Sequence, residues 1–165
     1  MREWSLNDKR HLEAAEGWLG LGSHLEANEE LERITPQMRA HPDALRLRWD
    51  VYAKAKKWEM AAEIARAISE LVPGVAFGWV HMAYALHAMK RTKEAWDVLL
   101  AVVGKFPDEW LMCYNLACYA CQLGDPKQAF GWLDKAIGRA GKEEIRAMAL
   151  DDPDLEPLWA EIGEI

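Results

Sequence analysis

The chain has 165 residues, of which 51% are hydrophobic and 28% charged, a balance that excludes both a disordered chain and a membrane-embedded one. Its 20 lysines and arginines stand against 27 acids, so the net charge of −7 offers no basic stripe for nucleic acid. The 3 cysteines are an odd number, which fits a reducing compartment better than a disulfide framework. No apolar run approaches the ~20 residues of a membrane helix, and the start at Met1-Arg2-Glu3-Trp4 lacks the apolar core of a signal peptide. The expectation is one cytoplasmic domain over 1–165, with no membrane and no nucleic-acid partner.

The sequence repeats itself every 34 residues, in windows 8–41, 42–75, 76–109 and 110–143. Position 20 of the windows reads Ala27, Ala61, Ala95, Ala129, and position 24 reads Leu31, Ala65, Leu99, Leu133. Position 27 reads Ile34, Ile68, Val102, Ala136, and position 8 reads Ala15, Trp49, Ala83, Ala117. Within a window the apolar spacing is helical twice over: Trp79, Met82, Ala83 and Leu86 repeat at i, i+3, i+4 and i+7, as do Ala95, Val98, Leu99 and Val102. Each window therefore predicts a helical hairpin.

In chain order, the first helix ends at Gly20-Leu21-Gly22, and Ser23 with Glu26 predicts a capping box for the second. The first window has Arg39 where the next two have Pro73 and Pro107, with Pro36 and Pro42 flanking the link, so its second helix stops early. The second window carries Arg48 and Trp49 where the third has Met82 and Ala83 and the fourth Leu116 and Ala117, which predicts a wider or shifted junction. Pro73-Gly74 and Pro107-Asp108 break the chain between windows. Thr92 is a candidate cap for a helix running to Phe106, and Asp125-Pro126 opens the next. Beyond Glu143 the period fades. Lys142 to Leu150 reads as a short helix, Asp151-Asp152-Pro153-Asp154 as a break with an N-cap, and Leu155 to Ile162 as a last helix with Leu158, Trp159 and Ile162 apolar. This 144–165 tail predicts a cap over the open end of a repeat array.

A 34-residue helix–turn–helix unit with small residues at positions 8 and 20 resembles the tetratricopeptide repeat. Trp79, Met82, Ala83, Ala95 and Pro107 carry the likeness in the third window, and Asn115, Leu116, Ala117, Gly124, Asp125, Ala129 and Ala136 in the fourth. The tail from Leu150 to Trp159 resembles the one that closes many bacterial arrays of this kind. The resemblance implies an all-α fold, four hairpins stacked as a right-handed α-α superhelix with C-terminal capping helices.

The chemical motifs are sparse. Cys113, Cys118 and Cys121 have an iron–sulfur-like spacing but lack a fourth ligand and fall inside a predicted helix, so they read as buried structural thiols. Gly17-x-x-Gly20-x-Gly22 follows no strand and precedes no lysine, which removes a phosphate loop. Carboxylate pairs such as Glu29 with Glu30 sit on polar faces, and no nucleophile sits in a recognisable elbow. Trp18, Trp79 and Trp96 occupy packing positions and read as core. No catalytic residue, metal site or cofactor is expected.

The resemblance implies that the first helix of each repeat lines a groove. The positions that would point into it include Arg46 and Asp50 in the second window, Phe77, His81, Tyr84 and His87 in the third, and Tyr114, Asn115, Cys118 and Gln122 in the fourth. The last two groups are apolar and aromatic with hydrogen-bonding tips, the composition of binding hot spots. The set does not match the lysine–asparagine clamp that grips chaperone tails. The expected function is a non-enzymatic adaptor that binds a partner peptide or helix. The alternative is a self-association module, a homodimer driven by apolar helix edges or by the Trp4 arm.

Overall fold

A computed structural model describes residues 3–164. Every regular element among them is helical: α1 Leu6–Gly20, α2 His24–Arg33, α3 Pro42–Lys54, α4 Trp58–Leu71, α5 Ala76–Ala88, α6 Thr92–Val102, α7 Trp110–Gln122, α8 Pro126–Ala140, α9 Lys142–Asp151 and α10 Trp159–Glu164. Short 3₁₀ turns cover Val103–Lys105 and Pro153–Leu158. The chain folds as two compact units that divide inside α5, the first ending at Ala85 and the second beginning at Leu86.

The phase read from the sequence is visible in what is buried. Ala27, Ala61, Ala95 and Ala129 are all fully buried, as are Leu31, Ala65, Leu99 and Leu133. A methyl at these positions lets the two helices of a hairpin approach closely, and a larger side chain would hold them apart. The four hairpin turns share a device that the spacing did not reveal. Gly22, Lys56, Lys90 and Gly124, each at position 15 of its window, have φ of 82°, 55°, 64° and 83°. The next residue's N–H then reaches back to a carbonyl five residues earlier, Ser23 to Trp18, Lys57 to Tyr52, Arg91 to Leu86 and Asp125 to Ala120, at 2.8–3.0 Å. This is a Schellman closure, which satisfies carbonyls left open at the end of a first helix.

In the first unit α1 packs on α2, α3 on α4, and α3 also on α1 and α2. Ala15, Leu19, Ala27, Leu31, Ile34, Met38, Ala44 and Val51 form its core, with Trp4, Leu12, Leu47 and Tyr52 against it. Ser5 caps α1, and the buried Asp8 crosses to Thr35, accepting from its backbone N–H at 2.8 Å and from its hydroxyl at 3.1 Å. That bond pins the link after α2, which ends at Arg33, early as the sequence predicts. Gly78 marks the closest approach of α5 to α4: a Cβ there would lie 2.5 Å from the Ser69 nitrogen and 2.9 Å from the Ala65 oxygen. Trp49 is buried with its ring against α5, 4.4 Å from that of His81, while Arg48 reaches Glu32 at 2.6 Å.

In the second unit α7 is the central helix, packed by α6 and α8 and crossed by the Pro153–Leu158 turn. Ile145, Ala149, Leu155, Leu158 and Ile162 close its end. Three local expectations are corrected. Ser23 makes no side-chain cap, so the capping box is not formed. Thr92 is the first residue of α6 instead of its cap, its hydroxyl paired with the His87 ring at 2.9 Å, and α6 stops at Val102. The last predicted helix is split into a 3₁₀ turn and α10, because Pro157 lacks the N–H that an α-helix would use there.

Candidate interaction faces

In the first unit the sequence-predicted residues converge on one face made by α3 and α5. Arg46 and Asp50 lie one turn apart on α3, and Phe77, His81 and Tyr84 follow the same side of α5. The Arg46 guanidinium stands 4.9 Å over the Phe77 ring, and the His81 ring stacks on Phe77 at 3.7 Å. Tyr84 meets the edges of Trp49 at 6.2 Å and Trp58 at 5.8 Å, yet remains 48% exposed. Burial pushes the His81 imidazole below its usual range, opposed by its bond to the Phe77 carbonyl, so it is neutral at pH 7. Burial likewise raises the Asp50 carboxyl, with Lys54 pulling it back. The Arg46 Nε is buried without a hydrogen-bond partner. The face is thus an aromatic cluster with one exposed ring and one cation laid over it.

The second unit uses its predicted residues differently. His87, Tyr114, Cys118 and Gln122 all bind the chain's own tail. Tyr114 donates to an Asp152 carboxylate oxygen at 2.9 Å, and the Cys118 thiol approaches the same oxygen at 3.5 Å. Gln122 donates to the Asp154 carbonyl at 2.9 Å, and His87 Nε2 meets the Asp154 carboxylate at 2.8 Å. Asp152 also caps the turn that follows, accepting from the Asp154 N–H at 3.0 Å. Asn115 lies half-buried on the same helix, and its side chain makes no hydrogen bond among the described residues. Burial first, then the neighbouring Cys118 and Asp152, holds the Tyr114 phenol far above its usual range, and burial raises all three thiols.

Sequence reading placed Asp152 and Asp154 only in a capped break; their carboxylates bind side chains more than thirty residues away, which no local pattern marks. Two tryptophans also differ from expectation. Trp18 is 39% exposed and not core. Trp4 packs on the first unit's core with its ring 4.7 Å from His41, so it is not a free arm for a partner copy.

These hairpins define a helical-repeat protein with the tetratricopeptide-like fold. No family model matches the chain, and no curated protein matches it in sequence. Solved structures do. MamA from Desulfovibrio magneticus RS-1, beginning at its residue 41, is 18% identical over 98% of this chain and 96% of its own, with a TM-score of 0.74. A double mutant of MamA from RS-1 is 16% identical over 90% of this chain and 80% of its own, with a TM-score of 0.70. MamA from MSR-1 is 19% identical over 87% and 79%, with a TM-score of 0.66. At such identities the likeness is one of fold. No helix among the described residues is long and apolar enough to cross a membrane.

Proposed function

We propose that this protein is a non-enzymatic adaptor that binds an extended segment or helix of a partner protein on the α3–α5 face of its first unit. The observation that carries this reading is Tyr84, a ring 48% exposed at the centre of an aromatic cluster. A partner would cover the ring and lie beside the Arg46 guanidinium over Phe77. The second unit offers a parallel for side-chain capture of a chain segment, since its α7 holds Asp152 and the start of the 3₁₀ turn, at Asp154, by side-chain hydrogen bonds. There the tail already fills the face, so the proposal rests on Arg46, Asp50, Phe77, His81 and Tyr84, and leaves Asn115 as the donor free for a partner in the second unit.

The test begins with capture from the native cell on wild-type protein, with the Tyr84→Ala variant as control. An identified partner is then titrated against wild type, Tyr84→Ala and Asn115→Ala. Loss of about 1–3 kcal/mol of binding in Tyr84→Ala is expected, with a smaller effect in Asn115→Ala. Because burial lowers the His81 imidazole below its usual range, affinity should hold near pH 7 and weaken as acid charges it. Unchanged affinity in Tyr84→Ala would move the site elsewhere. With Trp4 packed at home, self-association would have to use exposed helix edges, and a light-scattering concentration series separates it from the adaptor reading.

A further inference from the structure

A recess of about 580 Å³ opens in the first unit between α2, the end of α3 and the start of α4, and Trp49, Phe77, His81 and Tyr84 are not among the residues that line it. That size lies in the range of ligand sites, roughly 300–1,000 Å³. Its apolar lining comes from Leu25, Val51 and Met60, one from each helix. Leu25 is 68% exposed and Met60 45%, so two large apolar side chains face solvent at its edge. Its rim carries Lys54, Lys56 and Lys57.

The charges around the recess are not balanced. Lys56 and Lys57 make no ion pair among the described residues, and Lys54 lies one turn from Asp50 on α3 and acts on its carboxyl. The single carboxylate in the wall, Glu32, is already engaged by Arg48 at 2.6 Å and by Arg39 at 3.1 Å. A chain of net charge −7 thus gathers three lysines around one apolar recess, two of them without an ion-pair partner among the described residues. At physiological salt, charges beyond about 8 Å are largely screened, so an incoming group feels this local cluster and not the net charge.

We infer that this recess is a second docking site, taking an acidic peptide segment that carries a large apolar side chain. The apolar residue enters against Leu25, Val51 and Met60, and carboxylates on either side meet the lysines. The lysine heads are spaced along a turn on flexible stems. A chain with separated acids satisfies them better than a compact anion, which needs donors converging on one point.

The probe is a short fluorescein-labelled peptide with glutamates flanking a central Leu-Phe pair, followed by anisotropy. Its controls are the same peptide with glutamines for glutamates, and with serines for the apolar pair. Wild type should bind the probe more tightly than either control, and more tightly at low salt. Lys56→Glu combined with Lys57→Glu should weaken it about tenfold or more, and Leu25→Ser should weaken it several-fold. All three residues are exposed, so circular dichroism of these variants should match wild type. Tyr84→Ala should leave the probe's affinity unchanged, which separates this site from the α3–α5 face. Equal binding of probe and either control would overturn the inference, as would unchanged affinity in the lysine variant. Anionic vesicles binding in place of the peptide, with the same lysine dependence, would assign the recess to lipid and overturn it too.

Discussion

At the scale of single residues, Asp8 shows how one buried carboxylate fixes a loop. It is 1% exposed and accepts from the Thr35 N–H, the Thr35 hydroxyl and Ser5. Asp8→Ala would leave that N–H unpaired in the interior and should cost about 1–3 kcal/mol in equilibrium denaturation. The Thr35 N–H, against the opposing effect of burial, holds the Asp8 carboxyl below its usual range. A group depressed in the folded state contributes stability above its unfolded pKa of about 4 and loses it as pH falls further. The melting-temperature gap between wild type and Asp8→Asn should therefore be full at neutral pH and close in acid. His81 works with the same sign higher up the scale. Its folded pKa is lowered by burial, so its contribution is full above about pH 6.5 and falls as acid charges the unfolded chain first. Gly78→Ala would drive a methyl into the Ser69 backbone and should cost about 1–3 kcal/mol, since backbone cannot step aside as a flexible side chain can.

At the scale of elements, the hairpin turn repeats more faithfully than the helices it joins. Two of its four left-handed positions are lysines, Lys56 and Lys90, where glycine stands in the other two hairpins. A side chain in that conformation costs about 1 kcal/mol, so Lys90→Gly should raise the unfolding free energy by up to about that much, read by equilibrium denaturation. Loss of stability instead would mean that the lysine stem contributes packing larger than the backbone strain. The fully buried Ala95 tests the hairpin from its other end: Ala95→Leu should cost roughly 1–3 kcal/mol by overpacking.

At the scale of the whole molecule, the tail is part of the second unit's core and also the occupant of its α7 face. Leu155 is fully buried, and Leu155→Ala should cost about 2–5 kcal/mol through the cavity it leaves. The same tail shields Cys118 and Cys121, whose thiols burial holds in the protonated form. Alkylation of the native protein by iodoacetamide should thus be slow, and should accelerate in Leu155→Ala if the tail is what protects them. Each unit then carries a different use of the same helix surface, an aromatic cluster with an exposed ring in the first and a side-chain-held tail in the second.

The sequence by itself determined the repeat, because it is written in short-range terms: a helical period, a methyl at a fixed position, a break every 34 residues. Burial of all four position-20 alanines follows from that phase. Half of the shared turn was legible too, as Gly22 and Gly124, while Lys56 and Lys90 concealed the other half behind a residue type that rarely adopts their conformation. Of the candidate site, spacing placed Arg46, Asp50, Phe77, His81 and Tyr84 on matching sides of two helices, but their stacking was settled by Trp49 and by where α5 lies. Only the tertiary structure decided the rest. The bonds from Tyr114 and Cys118 to Asp152, from His87 and Gln122 to Asp154, and from Thr35 to Asp8 each join residues 27 to 67 positions apart. Such pairs leave no period in the chain; they form because a buried polar group takes the partner that packing brings within reach.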